Sequence, residues 1–141
     1  MLIFHASDLH KRYQKLGAFP GETPDLWILT GDIFPNKTRG DVSVEVGHQT
    51  RWFNYTGYSI KERLRGAPVV CVDGNHDFIC LATALRSIGV EAYNVTPQGV
   101  TVKGIRFAGF RHVPQINGEW NGEVDRGELQ KLVFDTFEEG N

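Results

Sequence analysis

The chain has 141 residues, 40% of them hydrophobic and 23% charged, with a formal net charge of −2. That size and balance describe one folded globular unit with its own core and exclude a disordered or fibrous chain. The signs are interspersed, so there is no electrostatic footprint for nucleic acid or a membrane surface, and the clusters Lys11-Arg12-Lys15 and Lys61-Arg63-Arg65 read as solvated faces.

Two cysteines occur, Cys71 and Cys80, in neither a zinc spacing nor a disulfide framework, which points to a reducing compartment. The N-terminus enters a strand without a signal-peptide pattern, and no apolar run is long enough to cross a bilayer. A cytoplasmic location is therefore expected.

Met1 to Ala6 is almost wholly apolar, the pattern of a strand covered on both faces, with His5 read as a core histidine that finds a hydrogen-bond partner. Lys11 to Leu16 predicts a helical turn, Pro20 to Asp25 a loop, and Leu26 to Leu29 a second strand. After turn-rich residues 34–42, a helix is predicted from near Ser43 to Leu64, stopped by Gly66 and Pro68, with Gly47 and Gly57 as weak points. Its aromatics Trp52, Phe53, Tyr55 and Tyr58 are expected to pack on a sheet. Pro68 to Val72 predicts a third buried strand, Phe78 to Ile88 a helix stopped by Gly89, and Val90 to Val95 a further strand. Val100-Thr101-Val102 and Ile105 to Ala108 flank Lys103-Gly104 as a hairpin. Pro114 to Gly127 reads as a polar loop carrying Trp120, either exposed or docked, and a last helix should run from Arg126 or Gly127 to about Glu138. No repeat or linker divides the chain, so residues 1–141 are taken as a single unit.

Three of the predicted strands end in ligand-type side chains. The first runs into Asp8-Leu9-His10, whose spacing on an extended segment would put carboxylate and imidazole on one side. The second runs into Gly31-Asp32 and the third into Gly74-Asn75-His76-Asp77. Each group could be a turn or cap on its own, but one turn cannot absorb an amide, an imidazole and a carboxylate in succession. Carboxylate, imidazole and amide donors without a thiolate suit borderline-to-hard ions such as Mn²⁺, Fe²⁺, Zn²⁺ or Ni²⁺.

These three motifs resemble the first signature motifs of the calcineurin-like metallophosphoesterases, most closely their small phosphodiesterase-type members. The resemblance implies an α/β fold, a β-sandwich flanked by helices in four layers (α/β/β/α), with two divalent metal ions at the strand ends. It assigns Asp8 and His10 to the first metal, Asn75 to the second, and Asp32 as the bridge. It places His76 beside the scissile phosphate, with Asp77 orienting and polarising its ring. It implies hydrolysis of a phosphate ester by a metal-bridging hydroxide. Arg111 and His112, just past the hairpin, become candidates for substrate contact.

The same pattern continues, in the family, with a histidine after a further strand and then Gly-His-x-His, all three serving as ligands. This chain reaches Asn141 first, and its other histidines, His5, His48 and His112, lack that context. The second metal keeps only Asp32 and Asn75. The expectation is thus the N-terminal half of a phosphodiesterase whose site is completed by a C-terminal complementary chain. The alternative is a non-catalytic binding or partner-interaction module that retains the first-half motifs.

Overall fold

The structure, a computed structural model, describes residues 1–18, 21–38 and 41–137. Its centre is a four-stranded sheet of β1 (Ile3–Ala6), β2 (Leu26–Thr30), β3 (Val69–Val72) and β4 (Ala92–Asn94), paired in that order and all parallel. Strand order never reverses, so right-handed crossovers put every connection on one face. That face receives a 3-10 turn (Tyr13–Gly17), α1 (Val42–Leu64) and α2 (Leu81–Ser87).

Side chains alternate accordingly. Phe4, Trp27, Leu29, Val69, Cys71 and Ala92 join the helix-side core. Leu26, Ile28, Val70 and Tyr93 point to the other face, where Val100, Val102 and Phe107 of the hairpin β5 (Val100–Val102) and β6 (Ile105–Phe107) cover them. Lys103 and Gly104 both take positive φ in the hairpin turn, as a two-residue turn of that hand requires. The fold is therefore mixed α/β, with helices on one face of a parallel sheet and β structure on the other.

Two short strands, β7 (Val113–Pro114) and β8 (Glu123–Val124), pair in parallel within the stretch expected to be all loop. The final helix, α3, covers Arg126–Phe137; Glu138 lies outside the described residues.

Helix α1 is continuous through Gly47 and Gly57. Asp41 caps its start by accepting from Val44 N–H, and Arg65 and Gly66 close it in the left-handed region. Its buried stripe is Glu45, Gln49, Phe53, Gly57, Ile60 and Leu64, apolar toward the C-terminus but polar where it nears the strand ends. Phe53 is buried and Trp52 half-buried, but Tyr55 and Tyr58 are 87% and 68% exposed, so half of the expected aromatic packing is absent. They fall off the stripe, on the water-facing side of a helix packed by one face.

Two further differences follow from position. β1 is an edge strand, so His5 is exposed and bonds Thr30 Oγ1 at 2.7 Å, where a strand covered on both faces was expected. The helix expected from Phe78 begins only at Leu81, because the N–H groups of Phe78 and Ile79 go to the side chain of Gln49.

Candidate metal centre

All four strands point their C-terminal ends to one edge, where ligands collect in open parallel sheets. The loops after β1, β2 and β3 meet there as one zipped unit. Asp8 N–H, His10 N–H and Lys11 N–H donate to the carbonyls of Gly31 (3.1 Å), Asp32 (2.8 Å) and Ile33 (3.0 Å). Gly31, at φ +80°, lies so close to the next loop that an added Cβ would sit 2.7 Å from Gly74 Cα. Only two facing glycines allow that approach.

Asp8, His10 and Asp32 come together: one ligand atom from each lies within 4.8 Å of the others. The reason differs from an extended segment. Asp8, His10 and Asp32 all sit at positive φ (54°, 41° and 56°), and Leu9 between the first two is buried as an anchor. The ligands are therefore aimed by left-handed backbone, which costs non-glycine residues energy and persists where surrounding structure enforces it.

The Gly74 to Asp77 turn docks on the same spot. His76 N–H donates to Asp32 Oδ1 at 2.9 Å, fixing that carboxylate, and the His76 ring meets His10 edge-on with centroids 5.0 Å apart. Asn75 adjoins it, with its carbonyl accepting from Asn121 N–H at 3.0 Å.

Asp77 does not meet its expected role. Its buried carboxylate accepts four backbone N–H groups: Asp32 at 2.8 Å, Gly74 at 2.9 Å, Ile33 at 3.0 Å and Phe34 at 3.1 Å. Both oxygens are occupied in bracing the β2 loop against the β3 loop, and neither reaches the His76 ring. Burial pushes its pKa up to about 7, against the pull of the Gly74 and Phe34 N–H groups, and the Asp32 and Asp73 carboxylates add to the rise.

The ring is held instead by Asn36. His76 Nδ1 lies 2.9 Å from Asn36 Oδ1, while Asn36 Nδ2 donates to the His76 carbonyl at 3.0 Å. That second bond fixes which amide atom faces the ring, so Nδ1 carries the proton and Nε2 is the nitrogen left for chemistry. Gln49 supports the arrangement from α1. Its Nε2 donates to the carbonyls of His76 (2.8 Å) and Pro35 (3.2 Å), and its Oε1 accepts from Phe78 (2.8 Å) and Ile79 (3.3 Å). Glu45 accepts from Lys37 N–H at 2.9 Å and from the N–H and hydroxyl of Thr38, which orders the loop carrying Asn36.

Sequence reasoning missed Asn36, Gln49 and Glu45. A signal existed, because Glu45 and Gln49 lie in helical register with Phe53, Ile60 and Leu64 on the stripe that must be buried. Polar residues at such positions need partners.

Arg111 and His112 line a separate cavity of about 180 Å³ with Asp73, Asn94 and Phe110, rather than joining the Asp8–His10–Asp32 cluster. Burial raises the Asp73 carboxyl, opposed by the Leu81 N–H and the Arg111 charge. Larger hollows lie elsewhere, one of about 620 Å³ between Pro114 and α3, and hold none of the clustered ligands.

Clustered carboxylates and imidazole at the carboxyl edge of a parallel sheet define a metal-binding α/β protein. A model of the calcineurin-like phosphoesterase family matches residues 1–135, and the chain belongs to that family. No curated protein matches the sequence. Membership carries metal-dependent phosphoesterase activity as the family's chemistry. No helix among the described residues is long and apolar enough to cross a membrane.

Proposed function

We propose that this chain supplies the first half of a dinuclear phosphodiesterase site, working on a phosphodiester in the reducing cytoplasm. The reading rests on one observation: three ligand atoms within 4.8 Å of one another, directly beside a histidine with a fixed ring. The donor set fits a divalent ion such as Mn²⁺, Fe²⁺, Zn²⁺ or Ni²⁺ held by Asp8, His10 and Asp32. A second ion would have Asp32 and Asn75 from this chain, so further histidines from a C-terminal complementary segment or chain are needed to complete it. Such ions supply Lewis acidity, lowering the pKa of water and neutralising phosphoryl charge.

The chain's own residues have separable tasks. Asp32 Oδ1 is held by His76 N–H, and the carboxylate would hold the cation. With Nδ1–H anchored on Asn36, His76 turns Nε2 to the ester and, as the doubly protonated imidazolium, gives the Nε2 proton to the leaving oxygen and becomes the neutral ring, a contribution of roughly 10²–10⁴-fold. Asp77 keeps the two loops at a fixed spacing.

The test is Mn²⁺ binding by titration calorimetry and hydrolysis of bis(p-nitrophenyl) phosphate, by the chain alone and mixed with a polypeptide that carries the family's remaining histidine motifs. Asp32→Ala should lose metal, and His76→Ala should keep metal but lose turnover. Turnover that survives both changes would sink the proposal. Metal uptake without turnover in any combination would favour the non-catalytic binding module.

A further inference from the structure

A tryptophan outside every motif sits against the proposed acid. The indole of Trp120 lies over the His76 imidazole, with centroids 4.0 Å apart and the planes inclined by 41°. The placement is built. Asn121 N–H donates to the Asn75 carbonyl at 3.0 Å and Asn121 Nδ2 donates to the Asp77 carbonyl, so the loop is fastened on both sides of His76. Gly118 and Gly122, each at φ +75°, form the turns on either side. Glu123 accepts from Asn117 and Gly118 N–H, which closes the loop on its own strand.

We infer that Trp120 is a specificity-determining residue: its indole forms one wall of the subsite for the leaving group and selects phosphoesters that carry a flat aromatic ring. The inference rests on the phosphoesterase reading above. A leaving oxygen within hydrogen-bond reach of His76 Nε2, about 2.6–3.2 Å, puts the group attached to it beside the indole. Nothing about the core requires the placement, since the helix-side core and the hairpin core are both complete without Trp120. A π-face offers stacking to aryl groups and nucleobases alike, and offers no comparable contact to a puckered aliphatic ring of equal size.

The experiment compares equilibrium binding of phenylphosphonate and cyclohexylphosphonate, which cannot be hydrolysed, to the Mn²⁺-loaded protein. The proteins are the wild type, Trp120→Phe, Trp120→Leu and Trp120→Ala, each checked by its melting curve. The wild type should prefer the phenyl ligand by about threefold to tenfold, the size of an aromatic pair beyond its buried area. Trp120→Phe should keep most of the preference, and Trp120→Leu and Trp120→Ala should lose it while binding inorganic phosphate unchanged. Adenosine 5′-monophosphate binding more tightly than ribose 5-phosphate would identify the ring as a nucleobase, and equal affinities would identify it as an aryl group. Phosphonate binding without ring preference in the wild type, or a preference that survives Trp120→Leu, overturns the inference and leaves the phosphoesterase reading standing. Failure of the Mn²⁺-loaded wild type, both alone and combined with the complementary segment, to bind phosphate or either phosphonate removes both.

Discussion

Gln49→Met is the sharpest test of how α1 holds the site. Methionine matches the length of glutamine and removes all four side-chain hydrogen bonds. The His76 carbonyl keeps its bond from Asn36 Nδ2, so three backbone groups lose a partner: the Pro35 carbonyl and the N–H groups of Phe78 and Ile79. Each buried orphan costs about 1–3 kcal/mol, and the apolar methionine recovers part of that sum. A net loss of about 3 kcal/mol is expected, out of the roughly 5–15 kcal/mol that holds such a domain together. It should lower the melting temperature by roughly 6–12 °C, read by circular dichroism on the metal-free protein. The hydrogen bonds of Gln49 go to Pro35, His76, Phe78 and Ile79 and to none of Asp8, His10 and Asp32, so Mn²⁺ affinity at a temperature where the variant is folded should fall far less than turnover. A variant melting within about 2 °C of wild type would refute the idea that a fully bonded glutamine joins the two loops.

Other expectations follow from the same network. Asn36→Ala frees the His76 ring, and turnover in a completed enzyme should fall about tenfold to a hundredfold with Mn²⁺ binding unchanged, measured by paired kinetics and calorimetry. Glu45 carries the pH prediction. Burial pushes its carboxyl up, but the N–H and hydroxyl of Thr38, the Lys37 N–H and the His48 charge outweigh that and leave it below its ordinary value of 4.5. Its stabilising contribution is therefore fully present above that value and lost as pH falls through the lowered one. Melting curves from pH 7 to 3 should show wild type losing stability faster than Glu45→Gln in the acid range; parallel curves would count against it. Gly31→Ala puts a Cβ against the Gly74 backbone at positive φ and should cost more than about 2 kcal/mol and weaken Mn²⁺ binding, both measurable by urea titration and calorimetry.

The sequence made the sheet and the ligand triad legible for a plain reason. Buried parallel strands read as short apolar runs, and ligands at their ends interrupt those runs with residues that have no packing role, as Asp8, His10 and Asp32 do. Helix α1 was equally legible, because its apolar half repeats at helical spacing. What stayed hidden was contact made by side chains across long separations. Asn36 reaches His76 over 40 residues and Gln49 reaches it over 27, and no local pattern marks either pair. Asp77 illustrates the opposite error: the family resemblance implies that it orients the His76 ring, yet the turn points its carboxylate back into the protein. The docking of Trp120 is not legible in the sequence, because a lone aromatic in a polar loop carries no periodicity.

The left-handed backbone at Asp8, His10 and Asp32 has a consequence for how the protein trades durability against readiness. Relaxation of those three residues is blocked by the hydrogen bonds between neighbouring loops, so the cluster is already shaped before any cation arrives. An incoming ion then has little rearrangement to drive and can bind fast. The metal-free protein meanwhile holds conformations it would be better without. Asp8→Gly, at an exposed position, should therefore melt higher than wild type in the absence of metal and bind metal worse. A gain in stability from deleting a ligand would mean that this corner of the fold is shaped for its cargo rather than for its own stability.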